Sequence, residues 1–166
     1  MSDRLAAAWS VLETLSDPEI PVITLRELGI LREIREVGET VEVIITPTYS
    51  GCPAMSQIED DVRSTLDQAG IPATVVTRLA PAWTTDWMTE EGKAKLNAYG
   101  IAPPQRRAVT SSVVSFMARP QAGDVVPCPH CGSTRTSETS HFGSTACKAL
   151  YRCLDCREPF DYFKPY

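Results

Sequence analysis

The sequence predicts an α+β fold in two parts: a small αββαβ sandwich, then a cysteine-rich ribbon that closes the chain. Three observations predict it. Residues 54–69 carry an apolar stripe at helical spacing, between β-branched stretches over 41–46 and 73–79. Strand, helix, strand in that order implies parallel strands joined by a right-handed crossover. Five of the six cysteines lie between Val125 and Tyr166, four of them in two Cys-x-x-Cys pairs. The 166 residues suffice for one modest core plus an appendage too small to fold without help.

Each element follows from its residues. Leu5, Ala8, Trp9, Leu12 and Leu15 recur every three or four positions, which predicts a helix over 4–15. Asp17-Pro18-Glu19 stops it, because the residue before proline avoids helical angles, and a short turn follows over 24–28. Leu31, Ile34 and Val37 fall every third position, a spacing closer to helix than to strand. The Gly38-Glu39 pair before the β-branched run nevertheless suits a type II′ hairpin, so 31–37 and 41–46 are both read as strands. Met55, Ile58, Val62 and Leu66 form the stripe of the best helix, 54–69, which Gly70 ends. A third strand covers 73–79. Thr89 can cap a further helix, with Glu90 and Glu91 at its positive end and Gly100 closing it. Pro103-Pro104 breaks the chain, and 108–117 reads as a strand or a linker. The expected domains are 1–100, a connecting stretch 101–125, and the ribbon 126–166.

A net charge of −5 argues against nucleic acid as the main partner, although Arg135, Lys148, Arg152 and Arg157 leave room for a small basic patch. No apolar run approaches the roughly 20 residues of a membrane span, so no membrane association is expected. The N-terminal stretch lacks the features of a secretory signal, so the expected compartment is the cytoplasm, where thiols stay reduced. There, six cysteines point to metal rather than to three disulfides.

Cys128-Pro129-His130-Cys131 and Cys153-Leu154-Asp155-Cys156 are two metal knuckles, and 21 residues separate Cys131 from Cys153. That is just above the roughly 15–20 usual for paired knuckles. Two residues between thiolates let the chain fold back so that both sulfurs meet one ion while later amides point at sulfur. Gly132 allows the tight turn. Four sulfurs around Zn²⁺ make a closed tetrahedral, structural site. A single iron, an iron–sulfur cluster, or disulfides are the competing readings. Cys147 fits neither knuckle and reads as a small buried thiol or a secondary ligand. His130 and His141 are expected at the surface, since four thiolates already satisfy the ion.

Cys52 lies between a strand and the best helix, and Pro53 suits a first helical position, so Cys52 is expected as the N-cap. Amide donors and the helix dipole would favour a thiolate there, serving as nucleophile, metal-transfer ligand or persulfide carrier. The bland alternative is a small buried cap. Asp17 and Glu19 form a second polar group, or are turn formers. Trp83 and Trp87 would share a face if their stretch is helical, and read as core or interface rather than a ligand cage. No Glu-x-x-His pair or dinucleotide fingerprint is present, so oxygen activation is not expected of this chain.

Asp17-Pro18-Glu19-Ile20-Pro21-Val22, Leu28-Gly29, Thr46-Pro47-Thr48 and Ser50-Gly51-Cys52-Pro53 resemble the small domain of Suf-type and cytosolic iron–sulfur assembly factors. Trp83, Asp86-Trp87, residues 100–104 and the run Phe142-Gly143-Ser144-Thr145-Ala146-Cys147-Lys148-Ala149 narrow the resemblance to the PaaD (PaaJ) family of bacterial phenylacetyl-CoA epoxidase systems. The resemblance implies an accessory, non-catalytic component of a multicomponent di-iron monooxygenase in aerobic phenylacetate degradation. It would assist maturation of a metal centre, the reductase's iron–sulfur cluster or the di-iron site. A docking component with no cluster-handling role is the alternative. By the same resemblance Cys52 matches a reactive cysteine and Asp17 and Glu19 an acidic motif, with transient iron or a cluster as cargo. Oxygenase and reductase subunits are the expected partners, and a homodimer is compatible with the sequence.

Overall fold

Ser2 opens the first helix, α1 (Asp3–Leu12), by accepting the Leu5 amide at 3.2 Å. The computed structural model describes residues 2–105 and 125–166. The chain divides after Tyr99 into two units, with Tyr166 grouped with the first. α1 ends at Leu12, a turn earlier than expected, because the Leu15 amide returns to the Leu12 carbonyl in a tighter turn. Asp17 then takes over the chain direction: its Oδ1 accepts the amides of Glu19 (2.9 Å) and Ile20 (2.8 Å). The short helix α2 (Leu25–Leu28) carries a complete capping box between Thr24 and Glu27, and Gly29 closes it at φ 79°.

Strands β1 (Leu31–Val37) and β2 (Thr40–Ile45) pair antiparallel, and β3 (Ala73–Thr77) joins β2 in parallel, giving the order β1-β2-β3. In the Gly38-Glu39 loop Gly38 has φ 62°, and Glu39 does not take positive φ, as a type II′ hairpin requires. The period of three in β1 has a physical cause: the register shifts between Leu31 and Glu33. The bulge inserts one residue, so Leu31 and Ile34 both turn inward, while Val37 stays exposed. α3 (Met55–Gln68) connects β2 to β3, buries Ile58, Val62 and Leu66, and packs with α1 against the sheet. The result is the expected α+β sandwich.

After β3, a 3₁₀ turn (Thr85–Trp87) precedes α4 (Glu90–Tyr99). Thr89 caps α4 as expected, its Oγ1 accepting the Gly92 amide at 3.0 Å. The indole N–H of Trp83 donates to the Leu28 carbonyl at 3.0 Å, and the Thr89 amide donates to the Glu27 carbonyl at 2.9 Å. These bonds satisfy carbonyls at the C-terminal end of α2.

The second unit is a four-stranded sheet in the order β4-β7-β6-β5, with β5 (Thr136–Ser140), β6 (Lys148–Cys153) and β7 (Pro159–Phe163) antiparallel. β4 (Ile101–Ala102) pairs in parallel with β7, so these two residues of the stretch 101–125 form an edge of the ribbon's sheet. The expected strand or linker over 108–117 lies outside the described residues. No helix among the described residues is long and apolar enough to cross a membrane.

Candidate functional site

Each knuckle is a tight turn built by local hydrogen bonds. The Gly132 amide donates to the Cys128 carbonyl (2.8 Å), and the Cys128 amide to the Ser133 carbonyl (2.9 Å). In the second knuckle the Cys153 amide donates to the Glu158 carbonyl at 3.0 Å. The residue after each second cysteine is left-handed: Gly132 at φ 75° and Arg157 at φ 67°. The Arg135 guanidinium meets the Asp155 carboxylate at 2.6 Å, and the Leu154 amide reaches the Arg135 carbonyl at 2.8 Å, tying one knuckle to the other.

These turns bring the Sγ atoms of Cys128, Cys131, Cys153 and Cys156 within 4.8 Å of one another. The Cys128–Cys156 and Cys131–Cys153 separations are 3.8 and 3.6 Å. A tetrahedron of sulfurs about 2.3 Å from a central Zn²⁺ has edges of about 3.8 Å. A disulfide needs about 2.05 Å, so the four thiols are free. Cys128 and Cys153 are buried and Cys131 and Cys156 are exposed. Donor type, number and spacing fit a closed Zn²⁺ site.

The electrostatics favour an ion as well. Burial raises the Cys153 thiol, but amides of Cys156 and Asp155, with the Cys131 and Cys156 thiols, outweigh it and pull its pKa down to about 6. The Glu158 amide lowers Cys156, but burial and the other three sulfurs push it up to about 12. At Cys131 the Ser133 amide pulls down, against burial and the Cys153 and Cys128 sulfurs, and the net shift is upward. One thiolate forms readily and the next resist, which is the behaviour of like charges crowded into one site. A dication at the centre removes that repulsion.

The other sequence-predicted residues fall elsewhere. Cys147 is buried, its sulfur 3.0 Å from the Thr145 hydroxyl, and it is not one of the clustered four. It precedes β6 and lies six residues from Cys153, about 20 Å at strand rise, too far to serve the same ion. His141 pairs with Glu138 at the surface, and neither His141 nor His130 joins the cluster. Cys52 is not the N-cap of α3. Ala54 holds that position, and Cys52 sits one turn earlier, accepting the Met55 amide at 3.2 Å and donating its own amide to Tyr49 at 3.3 Å. Pro53 heads that separate turn rather than the helix, so the dipole argument for Cys52 loses its footing. Cys52 is half-buried. Asp17 is buried and holds its turn, and Glu19 is exposed. Among the described residues no ligand group of three or more forms around Cys52, Asp17 and Glu19. Trp83 is buried as expected. It lies outside the 3₁₀ turn that contains half-buried Trp87, so the two share no helical face.

A groove of about 350 Å³ next to the Cys52 loop escaped the sequence reading. It is lined by residues from 47–50 and from 79–83, with Tyr166. The only sequence signal for it was the hydroxyl run Thr48-Tyr49-Ser50 beside a tryptophan 33 positions away.

The chain is 46% identical over 157 residues to the D component assigned to 1,2-phenylacetyl-CoA epoxidase in Escherichia coli (strain K12), spanning 94% of this chain and 90% of that protein. The chain belongs to the PaaD family. The PaaD zinc beta ribbon domain pattern matches residues 115–164, and an iron-sulfur cluster assembly protein pattern matches residues 5–78. The PaaD ribbon match takes in all four clustered cysteines, and the assembly match takes in Asp17, Glu19 and Cys52. The chain is also 34% identical over 90 residues to an Fe-S protein maturation auxiliary factor of Porphyromonas gingivalis (strain ATCC BAA-308 / W83), covering 52% of this chain and 84% of that protein. A crystal structure of a domain of unknown function, DUF59, from Bacillus anthracis shares the fold. Its TM-score is 0.51 at 24% identity, over 56% of this chain and 91% of that one.

Proposed function

We propose that this PaaD-family chain is an accessory component of a phenylacetyl-CoA 1,2-epoxidase system in aerobic phenylacetate degradation. It assists maturation of a metal centre, the reductase's iron–sulfur cluster or the di-iron site, and leaves oxygenation to other chains. The observation that carries this reading is the identity with the Escherichia coli epoxidase component across nearly the whole chain. The assembly pattern over 5–78 and the Porphyromonas gingivalis maturation factor support the metal-handling half.

Zn²⁺ held by Cys128, Cys131, Cys153 and Cys156 has a structural role, because a closed set of four thiolates leaves no position for substrate and zinc undergoes no redox change. Cys147 is assigned no ligand role at that ion. Cys52 is the site for cargo: a thiolate is a soft ligand suited to iron or a cluster in transit. Asp17 organises the preceding turn, and Glu19 is the accessible carboxylate of that motif. The partners are oxygenase or reductase subunits in the cytoplasm.

Anaerobic purification with metal and sulfide analysis tests the reading. One zinc per chain is expected in both wild type and Cys52→Ser, with additional iron in wild type alone. Equal iron in both, or none in either, overturns the cargo role of Cys52. A docking role without cargo is the second reading, favoured by the absence, among the described residues, of further ligands clustered around Cys52. It predicts full epoxidase activity from Cys52→Ser in an intact complex.

A further inference from the structure

We propose that β3 is the contact strand of a homodimer: two copies of this chain pair their β3 strands antiparallel, about a two-fold axis through Val75. The sheet of the first unit has two edges, β1 and β3. β1 is bulged between Leu31 and Glu33 and carries Arg32, Glu33, Arg35 and Glu36. Bulges and charges are the devices that keep an edge strand from pairing. β3, with the sequence Ala-Thr-Val-Val-Thr, has no charge, no proline and an unbroken register with β2. None of its five residues is buried, whereas four of the six in β2 are. Its apolar Ala73, Val75 and Val76 are left half-covered.

The bonds to β2 decide which main-chain groups are free. The Val41 amide donates to the Pro72 carbonyl and the Arg78 amide to the Ile45 carbonyl, both at 2.8 Å. Main-chain groups of successive strand residues point to opposite sides, so residues 72, 74, 76 and 78 face β2. Ala73, Val75 and Thr77 therefore turn their amides and carbonyls outward, where they meet no main-chain partner among the described residues. Three outward residues centred on Val75 complement themselves. With Val75 opposite its own copy, Ala73 falls opposite Thr77 and Thr77 opposite Ala73. These are the positions at which an antiparallel pair exchanges both bonds, so the three outward donors and three outward acceptors of each strand are all used. Between them Thr74 meets Val76, a pair of β-branched side chains. Arg78, the first charge after the strand, lies opposite Pro72, so no like charges meet along the strands. A second copy supplies this match by symmetry, which is how isologous dimers close. The pairing is antiparallel, so the ends of β2 that lead to Cys52 point in opposite directions, and the dimer keeps two separate Cys52 sites.

Analytical ultracentrifugation of the full-length, zinc-loaded chain tests the pairing. The average mass should rise from 18.2 kDa toward twice that value as concentration goes from about 1 µM to about 1 mM. Amide hydrogen exchange identifies the strand. The Thr74 and Val76 amides, bonded to β2, should be protected at every concentration. Those of Ala73, Val75 and Thr77 should gain at least about tenfold protection, and only where the dimer forms. Val75→Pro removes the central donor, which β2 does not use. It should raise the dissociation constant at least about tenfold while Thr74 and Val76 stay protected. Thr74→Lys, at an exposed position, should weaken the dimer without touching the main chain. Val37→Lys, on the exposed end of β1, should leave it intact. If Val75→Pro loosens β3 from β2, Thr74→Lys decides alone. A monomer at every concentration, a dimer insensitive to both β3 substitutions, or one lost in Val37→Lys overturns the proposal. So does protection of Ala73, Val75 and Thr77 that is independent of concentration, which would put another segment of the same chain on the edge.

Discussion

Cys52 and the ribbon cysteines present the same thiol in opposite settings. The first unit is filled by aliphatic side chains: Ile23, Val41, Val43, Ile45, Val62 and Leu66 are all fully buried. Cys52 is not among its buried residues and sits half-buried on a loop. In the second unit two of the four clustered cysteines are part of the core. Cys128 and Cys153 are buried in one cluster with Ala102, Val126, Ala149, Tyr151, Phe160 and Tyr162. That cluster is small and holds thiols that repel once charged, so a dication bound by them would complete it as a core. Cys52 thus lies outside the aliphatic core of its unit, whereas Cys128 and Cys153 are embedded among the aromatic side chains of theirs.

The largest test of this contrast is loss of the ion. Cys153→Ala, or a strong chelator, should remove zinc and melt the ribbon. Zinc contributes about 10–16 kcal/mol of apparent binding energy in small zinc peptides. Amide resonances of 136–163 should collapse while those of the first unit persist. Collapse of both together would erase the distinction between the units.

Gly29→Ala is the reciprocal test. Gly29 sits at φ 79°, and a Cβ there would fall 2.8 Å from Trp87 Cβ and from the Trp87 carbonyl oxygen. Left-handed strain alone costs about 1–2 kcal/mol, and the clash adds to it. The thermal midpoint of the first unit should fall by about 10 °C while zinc content is unchanged. An unaltered midpoint would show that the 83–89 segment is not anchored to α2.

The smallest effect is on acid stability. Burial raises the Glu27 carboxyl, but the Lys95 ammonium at 2.6 Å and the Thr24 amide and hydroxyl outweigh it, and its pKa lies below the usual glutamate range. Its contribution is therefore complete above that range and lost as pH falls through the lower folded value. Glu27→Gln should flatten this acid limb for the first unit and leave stability at alkaline pH nearly parallel to wild type. Denaturant midpoints measured from neutral pH downward check it, and an unchanged acid limb would contradict the assignment.

Much of this was legible in the chain because it depends on neighbours in sequence. Two residues between thiolates bring sulfurs together whatever surrounds them, and the stripe Ile58, Val62, Leu66 fixes the buried face of α3 by helical geometry alone. β1 was harder to read, since its bulge gives a strand the apolar spacing of a helix. The helix start at α3 was misread at Cys52 because a proline can head an isolated turn as readily as a helix.

Sequence by itself determined the two Cys-x-x-Cys turns, the αββαβ order and the hairpin, all products of short-range spacing and backbone preference. Tertiary structure alone decided that Trp83 bonds a carbonyl 55 residues away, that Ile101–Ala102 pairs with β7, and that Thr48 opens on a groove walled by residues far along the chain. The physical reason is that these contacts close long loops. Which distant groups meet is selected by the packing of whole layers, and the pattern of any single segment carries no record of it.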